Sequence, residues 1–181
     1  PVEVAFSESS QLFESNFELV LSCETPGAVI RYTTDLTEPS NEFGSESSLY
    51  SGPISINKST QIRAQSFIPG SLDGPISTKT FLKMSGSVPD FTSNLPIIVM
   101  STLGKGGPPD SGSTSRKDAY LFFFEPDPET GRASLKQEPQ VVTRSGIRKR
   151  GSSSAGWPKY GMSVETWNDG DDLDNNIRPF G

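Results

Sequence analysis

The sequence predicts an all-β protein in which a β-sandwich is followed by a second β-rich segment. Short segments rich in β-branched and aromatic residues recur about every ten residues, as in known sandwiches. Within them apolar and polar residues alternate, which is typical of half-buried strands. Turn residues separate the segments, since the chain contains 17 glycines and 15 prolines. With no helical periodicity, we expect strands and turns throughout.

Residues 1–84 contain the strands of the predicted sandwich. Residues 17–23 alternate apolar and polar side chains, and the Pro and Gly of the next turn suit its backbone angles. A second alternating strand follows at residues 28–34, and a polar loop extends from Asp35 to Ser48. The remaining predicted strands of this segment are residues 54–56, 61–67 and 78–82.

Residues 85–94 are a predicted linker, and residues 95–181 form the second β-rich segment. Residues 119–125 are its most hydrophobic strand, which would favour aggregation if it were exposed, so we expect it to be covered. Two prolines and a glycine then reverse the chain. The predicted strands of this segment are residues 96–100, 119–125, 141–148 and 163–167.

The composition excludes several classes of function. The chain has no histidine and one cysteine, so zinc, haem and iron–sulfur sites lack their usual ligands and a histidine-containing catalytic triad is impossible. A net charge of −6 argues against a nucleic-acid partner. The basic residues at positions 144 and 148–150 are interpreted as a solvated strand face. No apolar stretch approaches the ~20 residues of a membrane span.

Cys23 is the only cysteine, so an internal disulfide is impossible. Alternation places it on the same strand face as Phe17, Leu19 and Leu21. We therefore expect a buried small hydrophobic residue rather than a reactive thiol.

Two blocks of the first segment carry a family resemblance. The first is residues 25–35 followed by Glu38-Pro39-Ser40, and the second is residues 49–54 followed by residues 59–64. Together they resemble the chitobiase/β-hexosaminidase C-terminal type of domain, an immunoglobulin- or fibronectin-III-like sandwich found in bacterial extracellular proteins. The resemblance covers about residues 5–84 and implies a spacer or adhesion module.

Leu36 departs from this family, which usually has glycine in that turn, and we expect a reshaped turn in the same fold. Tyr32 would lie on the apolar face with Ile30, and Tyr50 would anchor the turn before Gly52. We interpret both tyrosines as core residues, with stacking on a bound carbohydrate as the alternative.

A second resemblance lies in residues 146–159, which contain Arg-Gly-Ser-Ser-Ser and Trp-Pro-Lys, and in the strand at residues 163–167. This block is similar to the start of CotH-like domains, and the resemblance covers about residues 93–181. It implies an atypical, spore-coat-type kinase fold with ATP and Mg²⁺ as cofactors. The residues that the resemblance places at the nucleotide phosphates are Gly151, Ser152, Ser153, Ser154 and Lys159.

The CotH-like pattern is incomplete in this chain. Tyr160 stands where the family usually has a second lysine, and Gly181 precedes any segment that could supply the catalytic carboxylates. Phe180 suggests a strand or turn cut short. We therefore expect no phosphoryl transfer by this chain as it stands. The alternative interpretation of residues 151–156 is a loop that only packs against the β-rich part of the domain.

Oxygen-bearing side chains are concentrated in residues 168–176, and oxygen is the ligand type that Ca²⁺ prefers. The order of residues is not that of an EF-hand loop, so we interpret the segment as a solvated turn and keep Ca²⁺ as the alternative. The candidate metal ligands are Asp169, Asp171, Asp172 and Asp174.

The sequence therefore predicts a non-catalytic, extracellular or cell-surface structural and interaction module, a part of a larger multidomain protein. Its partner would be another protein or the missing remainder of its own chain, which would cover an open sheet. The alternatives are the N-terminal part of a CotH-like kinase, inactive without that remainder, and a carbohydrate-binding module.

Overall fold

The computed structural model of the protein describes residues 1–178, so the prediction made for Phe180 lies outside the described residues. The chain divides into two compact units, Pro1–Pro89 and Asp90–Gly181. Regular structure in the described residues is β-strand apart from two short 3-10 turns, at Val88–Asp90 and Ser153–Gly156. This confirms the all-β prediction.

The first unit contains nine strands within the described chain. They are β1 (Ala5–Phe6), β2 (Gln11–Phe13), β3 (Phe17–Leu19), β4 (Leu21–Ser22), β5 (Val29–Thr33), β6 (Ser48–Leu49), β7 (Ile54–Ile56), β8 (Thr60–Phe67) and β9 (Ser77–Lys83). Five of them form a sheet of order β2-β9-β8-β5-β6, and the others form the pairs β1–β4 and β3–β7. All pairs are antiparallel except β2 and β9, which are parallel. The arrangement is that of a β-sandwich.

The apolar core of the first unit joins residues from both sets of strands. Leu19 of β3 and Ile62 of β8 are completely buried, and so is Phe81 of β9. Phe17 packs edge-on against Phe81, with ring centroids 5.3 Å apart. Burial of aromatic and aliphatic side chains of this size supplies most of the driving force for folding.

The predicted apolar face of residues 17–23 is the face that meets this core. Leu19 and Leu21 are buried there, and Phe17 packs at the edge of the core. Cys23 is half-buried rather than fully buried, and it also packs against the core. The alternation therefore identified the correct face but overestimated how deeply Cys23 lies.

The second unit is built on one antiparallel sheet. Its strands are β10 (Thr92–Ser93), β11 (Ile97–Ser101), β12 (Lys117–Phe124), β13 (Ala133–Ser134), β14 (Val141–Arg150) and β15 (Gly161–Trp167). The sheet has the order β11-β12-β14-β15, and β10 pairs with β13. Residues 119–124 of β12 are all buried between their neighbours, so the most hydrophobic strand is covered as predicted. Part of the predicted linker is regular structure, since it contains a 3-10 turn and β10.

No helix in residues 1–178 is both long and apolar enough to cross a membrane.

Candidate functional site

Arg144 lies at the centre of a network on one face of the four-stranded sheet. Its side chain is 5% exposed. Its guanidinium donates hydrogen bonds to the carbonyl oxygens of Asn168 and Asp171, at 2.9 and 2.8 Å, and to a carboxylate oxygen of Asp172 at 2.8 Å. The guanidinium also lies 5.7 Å from the ring centre of Trp167. The interpretation of this arginine as part of a solvated face is therefore wrong, because the loop after β15 folds over it and buries it.

The four candidate calcium ligands lie in the loop that Arg144 holds. A guanidinium occupies three of the oxygen atoms that this loop could offer a cation, including one from Asp172. A carboxylate oxygen of Asp171 accepts hydrogen bonds from Asn168 and from the amide of Leu173. Among residues 1–178 no group of three or more acidic or thiol side chains is placed to hold a metal ion. A Ca²⁺ site at Asp169, Asp171, Asp172 and Asp174 stays a prediction.

Gly146 allows two large side chains to pack across β14. A Cβ atom at this position would lie 2.0 Å from the ring of Trp167 and 2.7 Å from Cδ of Arg116. Arg116 in turn forms an ion pair with Glu165 at 2.5 Å. The packing on this face of the sheet therefore depends on glycine having no side chain at position 146.

The end of β14 and the residues just after it line a basic cavity of about 430 Å³. Its lining includes Arg148, Lys149 and Arg150 together with Gly151 and Ser152. The Arg148 guanidinium already donates to the carbonyl oxygen of Ser113 at 3.0 Å, and Lys149 pairs with Asp110 at 3.0 Å. Arg150 is exposed. Three cationic side chains around one concave surface can attract a small anion.

Lys159 lines a different cavity of about 450 Å³, which we call the Met100 groove. Its apolar lining includes Met100, Ile147 and Met162, from three of the four strands of the sheet, and Pro158. Tyr160 lies at the same groove, and the Lys149 ammonium stacks 5.1 Å from the centre of its ring.

The structure thus separates the predicted phosphate-binding residues. Gly151 and Ser152 line the basic cavity and Lys159 lines the Met100 groove, while Ser153 and Ser154 belong to the 3-10 turn between them in sequence. Gly151 has φ of 94°, a conformation that favours glycine, and it lies two residues before this turn begins. Nucleotide binding by the five residues stays a prediction.

Asp127 fixes the turn after β12. Hydrogen bonds from Thr130, first from its backbone amide and then from its side chain, hold the pKa of the Asp127 carboxyl below its ordinary value of 3.8. The backbone amide of Glu129 adds to the effect. The carboxylate is fully exposed, so its role is to shape a surface turn.

In the first unit the largest loop is residues 34–47, between β5 and β6. Leu36 in this loop has φ of 82°, within the left-handed region that side chains avoid and glycine favours. Its carbonyl oxygen accepts a hydrogen bond of 3.0 Å from Arg63, a buried residue of β8. Tyr32 and Tyr50 pack against the core, as predicted, and the Tyr50 hydroxyl accepts a 3.1 Å hydrogen bond from the amide of Leu21.

Comparison with known proteins bears on this first unit. Residues 19–81 match the family model described as Fn3 associated. The match supports a fibronectin-III-associated domain, in partial agreement with the resemblance noted in the sequence. No curated protein and no solved structure matches the chain, and no comparison supports the CotH-like resemblance.

Sequence reasoning missed two features, one of them in the loop between β5 and β6. Phe43 in that loop is fully exposed, and its neighbours in the loop are polar residues or glycine. A lone aromatic residue within a polar loop was the available signal. Arg116 was also missed, and no local pattern identifies its partner Glu165, which lies 49 positions away on another strand.

Proposed function

We propose that the protein is a non-catalytic structural and interaction module of a larger extracellular protein. The observation that carries this proposal is the Fn3-associated match over residues 19–81, which lies on a β-sandwich with a continuous apolar core. Sandwich domains of this kind serve many proteins as spacers and as platforms for binding loops. The extracellular location is an extension of the resemblance to domains of bacterial extracellular proteins.

A second candidate function is that of a CotH-like kinase fragment. The basic cavity beside Gly151 and Ser152 favours it, since backbone amides and cations suit a phosphate. Two contacts count against it, because Lys149 is already paired with Asp110 and Lys159 lines the separate groove. A carbohydrate-binding module has less support, because Tyr32 and Tyr50 are used in the core.

Two measurements test the proposal. In the cells that make the protein, an antibody to it should label intact cells or the medium, and labelling only after permeabilisation would contradict the extracellular location. In solution, the chain should bind no ATP in the presence of Mg²⁺, as measured by isothermal titration calorimetry. Binding that disappears in Lys159→Ala but persists in Lys105→Ala, a lysine outside the predicted phosphate site, would favour the kinase fragment over the module.

A further inference from the structure

Phe43 is displayed at the tip of the loop between β5 and β6. Its relative exposure is 109%, so its ring is fully exposed to solvent. It occupies the second position of a turn in which the amide of Ser45 donates to the carbonyl oxygen of Glu42 at 3.2 Å. Gly44 completes the turn with φ of 81°, as a type II turn requires at that position. Burial of this exposed phenyl ring against a partner would therefore be favourable.

The loop that carries Phe43 is braced on both sides. Arg31 of β5 donates from Nε to the side-chain oxygen of Asn41 at 2.7 Å and from Nη1 to the carbonyl oxygen of Ser47 at 3.3 Å. The amide of Ser40 donates to Oγ of Ser47 at 2.8 Å. Because the loop is already ordered, a partner that covers Phe43 would lose little conformational entropy on binding.

The loop that carries Phe43 is acidic, although Arg31 of β5 donates to it and Arg63 of β8 pairs with Glu38. Residues 33–57 contain no lysine or arginine. The acidic residues of this stretch are Asp35, Glu38, Glu42 and Glu46. Anionic lipid and nucleic acid would be repelled by such a loop, and a surface with an apolar pocket bordered by cations would complement it.

The second unit of the chain carries a surface with these properties. The Met100 groove has an apolar lining, and Lys159 and the stacked Lys149–Tyr160 pair lie at it. Lys149 also pairs with Asp110, so Lys159 is the cation of the groove that an incoming acidic side chain would meet. The volume of the groove, about 450 Å³, is within the range of pockets that enclose small ligands and exceeds that of a phenyl ring.

We propose that Phe43 of one copy of the chain inserts into the Met100 groove of a second copy. The inference rests on the proposed role as an interaction module and names the partner of that module. The contact joins two different surfaces of the chain, so Phe43 of each copy is available to fill the groove of a neighbouring copy.

Sedimentation equilibrium of the whole chain tests this contact. At low ionic strength the average mass should rise with protein concentration between about 10 µM and about 1 mM, the range of weak specific contacts. Phe43→Ser should lower the association constant at least about tenfold, as expected for an interface anchor. Raising the salt from about 50 to about 500 mM should also weaken association, because it screens the charges.

A matched control separates the site from general hydrophobicity. Leu72 is 88% exposed in the same unit but outside the acidic loop, so Leu72→Ser should associate like the unchanged protein. In the groove, Met162→Glu should abolish association by placing an acid against the acidic loop, whereas Leu95→Glu, outside the groove, should have little effect. Circular dichroism would show that each variant is folded.

The decisive sample is an equimolar mixture of Phe43→Ser and Met162→Glu. Each variant keeps one intact surface, so the mixture should form dimers and stop there, although either variant alone associates at most weakly. A monomeric unchanged protein at about 1 mM, or a mixture that associates no more than the separate variants, would overturn the inference. Neither result affects the module proposal, which fails instead if the chain binds ATP through Lys159.

Discussion

Replacing Leu36 by glycine and by alanine should reveal the backbone strain in the loop between β5 and β6. Both variants remove all atoms of the half-buried Leu36 side chain beyond Cβ. The difference in stability between the two variants therefore reports on the backbone conformation at position 36. With φ of 82°, position 36 holds a conformation that costs a residue with a Cβ about 1–2 kcal/mol. Glycine avoids that cost.

The expected difference follows from two opposing effects. Glycine loses more conformational freedom on folding than alanine, which costs about 0.5–1 kcal/mol. The relief of strain exceeds this cost by about 0.5–1 kcal/mol, so Leu36→Gly should be more stable than Leu36→Ala by that amount. The hydrogen bond from Arg63 reaches the backbone carbonyl oxygen of residue 36 and remains possible in both variants.

The assay must report on the first unit alone. Both tryptophans, Trp157 and Trp167, lie in the other unit, so their fluorescence is unsuitable. Hydrogen exchange of the amides of β8 as a function of urea measures the free energy of opening of this unit. Leu49 in β6 provides the matched control, since it lies in a strand with an ordinary negative φ. There alanine should be the more stable of the two replacements.

The sign of the stability difference between Leu36→Gly and Leu36→Ala tests whether residue 36 is strained. If Leu36→Ala were as stable as Leu36→Gly or more so, as at position 49, then residue 36 does not adopt the left-handed conformation. The account of the loop as a strained turn would then be wrong.

Three further predictions concern the second unit. Gly146→Ala should destabilise this unit by about 1–3 kcal/mol, because the new Cβ would collide with the indole ring of Trp167. Gly161→Ala should not destabilise it, because no atom lies nearer than 3.9 Å to a Cβ at that position. Urea unfolding followed by tryptophan fluorescence measures both variants. In the same assay, Arg144→Met should lower the free energy of unfolding by about 2 kcal/mol, because the groups that this buried side chain pairs with lose their partner. Asp172→Asn should lower it by less than about 1 kcal/mol, because the Asp172 carboxylate is largely exposed to water. Because the pKa of Asp127 is lowered, its carboxylate stabilises the turn fully at pH values above the ordinary pKa of 3.8, and this stabilisation is lost as the pH falls through the lowered pKa. NMR titration of the carboxyl group and of the turn amides would show this loss. A pKa at or above 3.8 would contradict the prediction.

The longer strands could be predicted from the sequence because burial on one face imposes alternation. Residues 61–67 and 141–148 correspond to β8 and β14, which the structure extends by a residue or two. The strands β1, β6 and β10 have two residues each, which is too short for a period-2 pattern to be recognised. Their positions depend on the neighbouring strand, and the sequence does not show which strand that is.

The candidate site was less predictable for the same reason. Arg144 looked like a surface residue because the carbonyl oxygens that accept its hydrogen bonds come from residues 24 and 27 positions later. Gly151 and Lys159 are close in sequence, yet they line different cavities. Leu36 is the opposite case, since its departure from the usual glycine was visible in the sequence and its strained φ appears in the structure.

The parallel pairing of β2 with β9 has a mechanical consequence for the first unit. The register sets Gln11 opposite Phe81 and Phe13 opposite Lys83, and the amide of Met84 donates to the carbonyl oxygen of Phe13 at 2.8 Å. Tension on the chain before β2 and after β9 pulls these two strands in opposite directions along their common axis. Their hydrogen bonds are then loaded together in shear, whereas an antiparallel pair pulled from the same end would open one bond at a time. Under tension the unit would therefore resist stretching through this short pair of strands, and its lifetime would depend on the rate at which the pair yields.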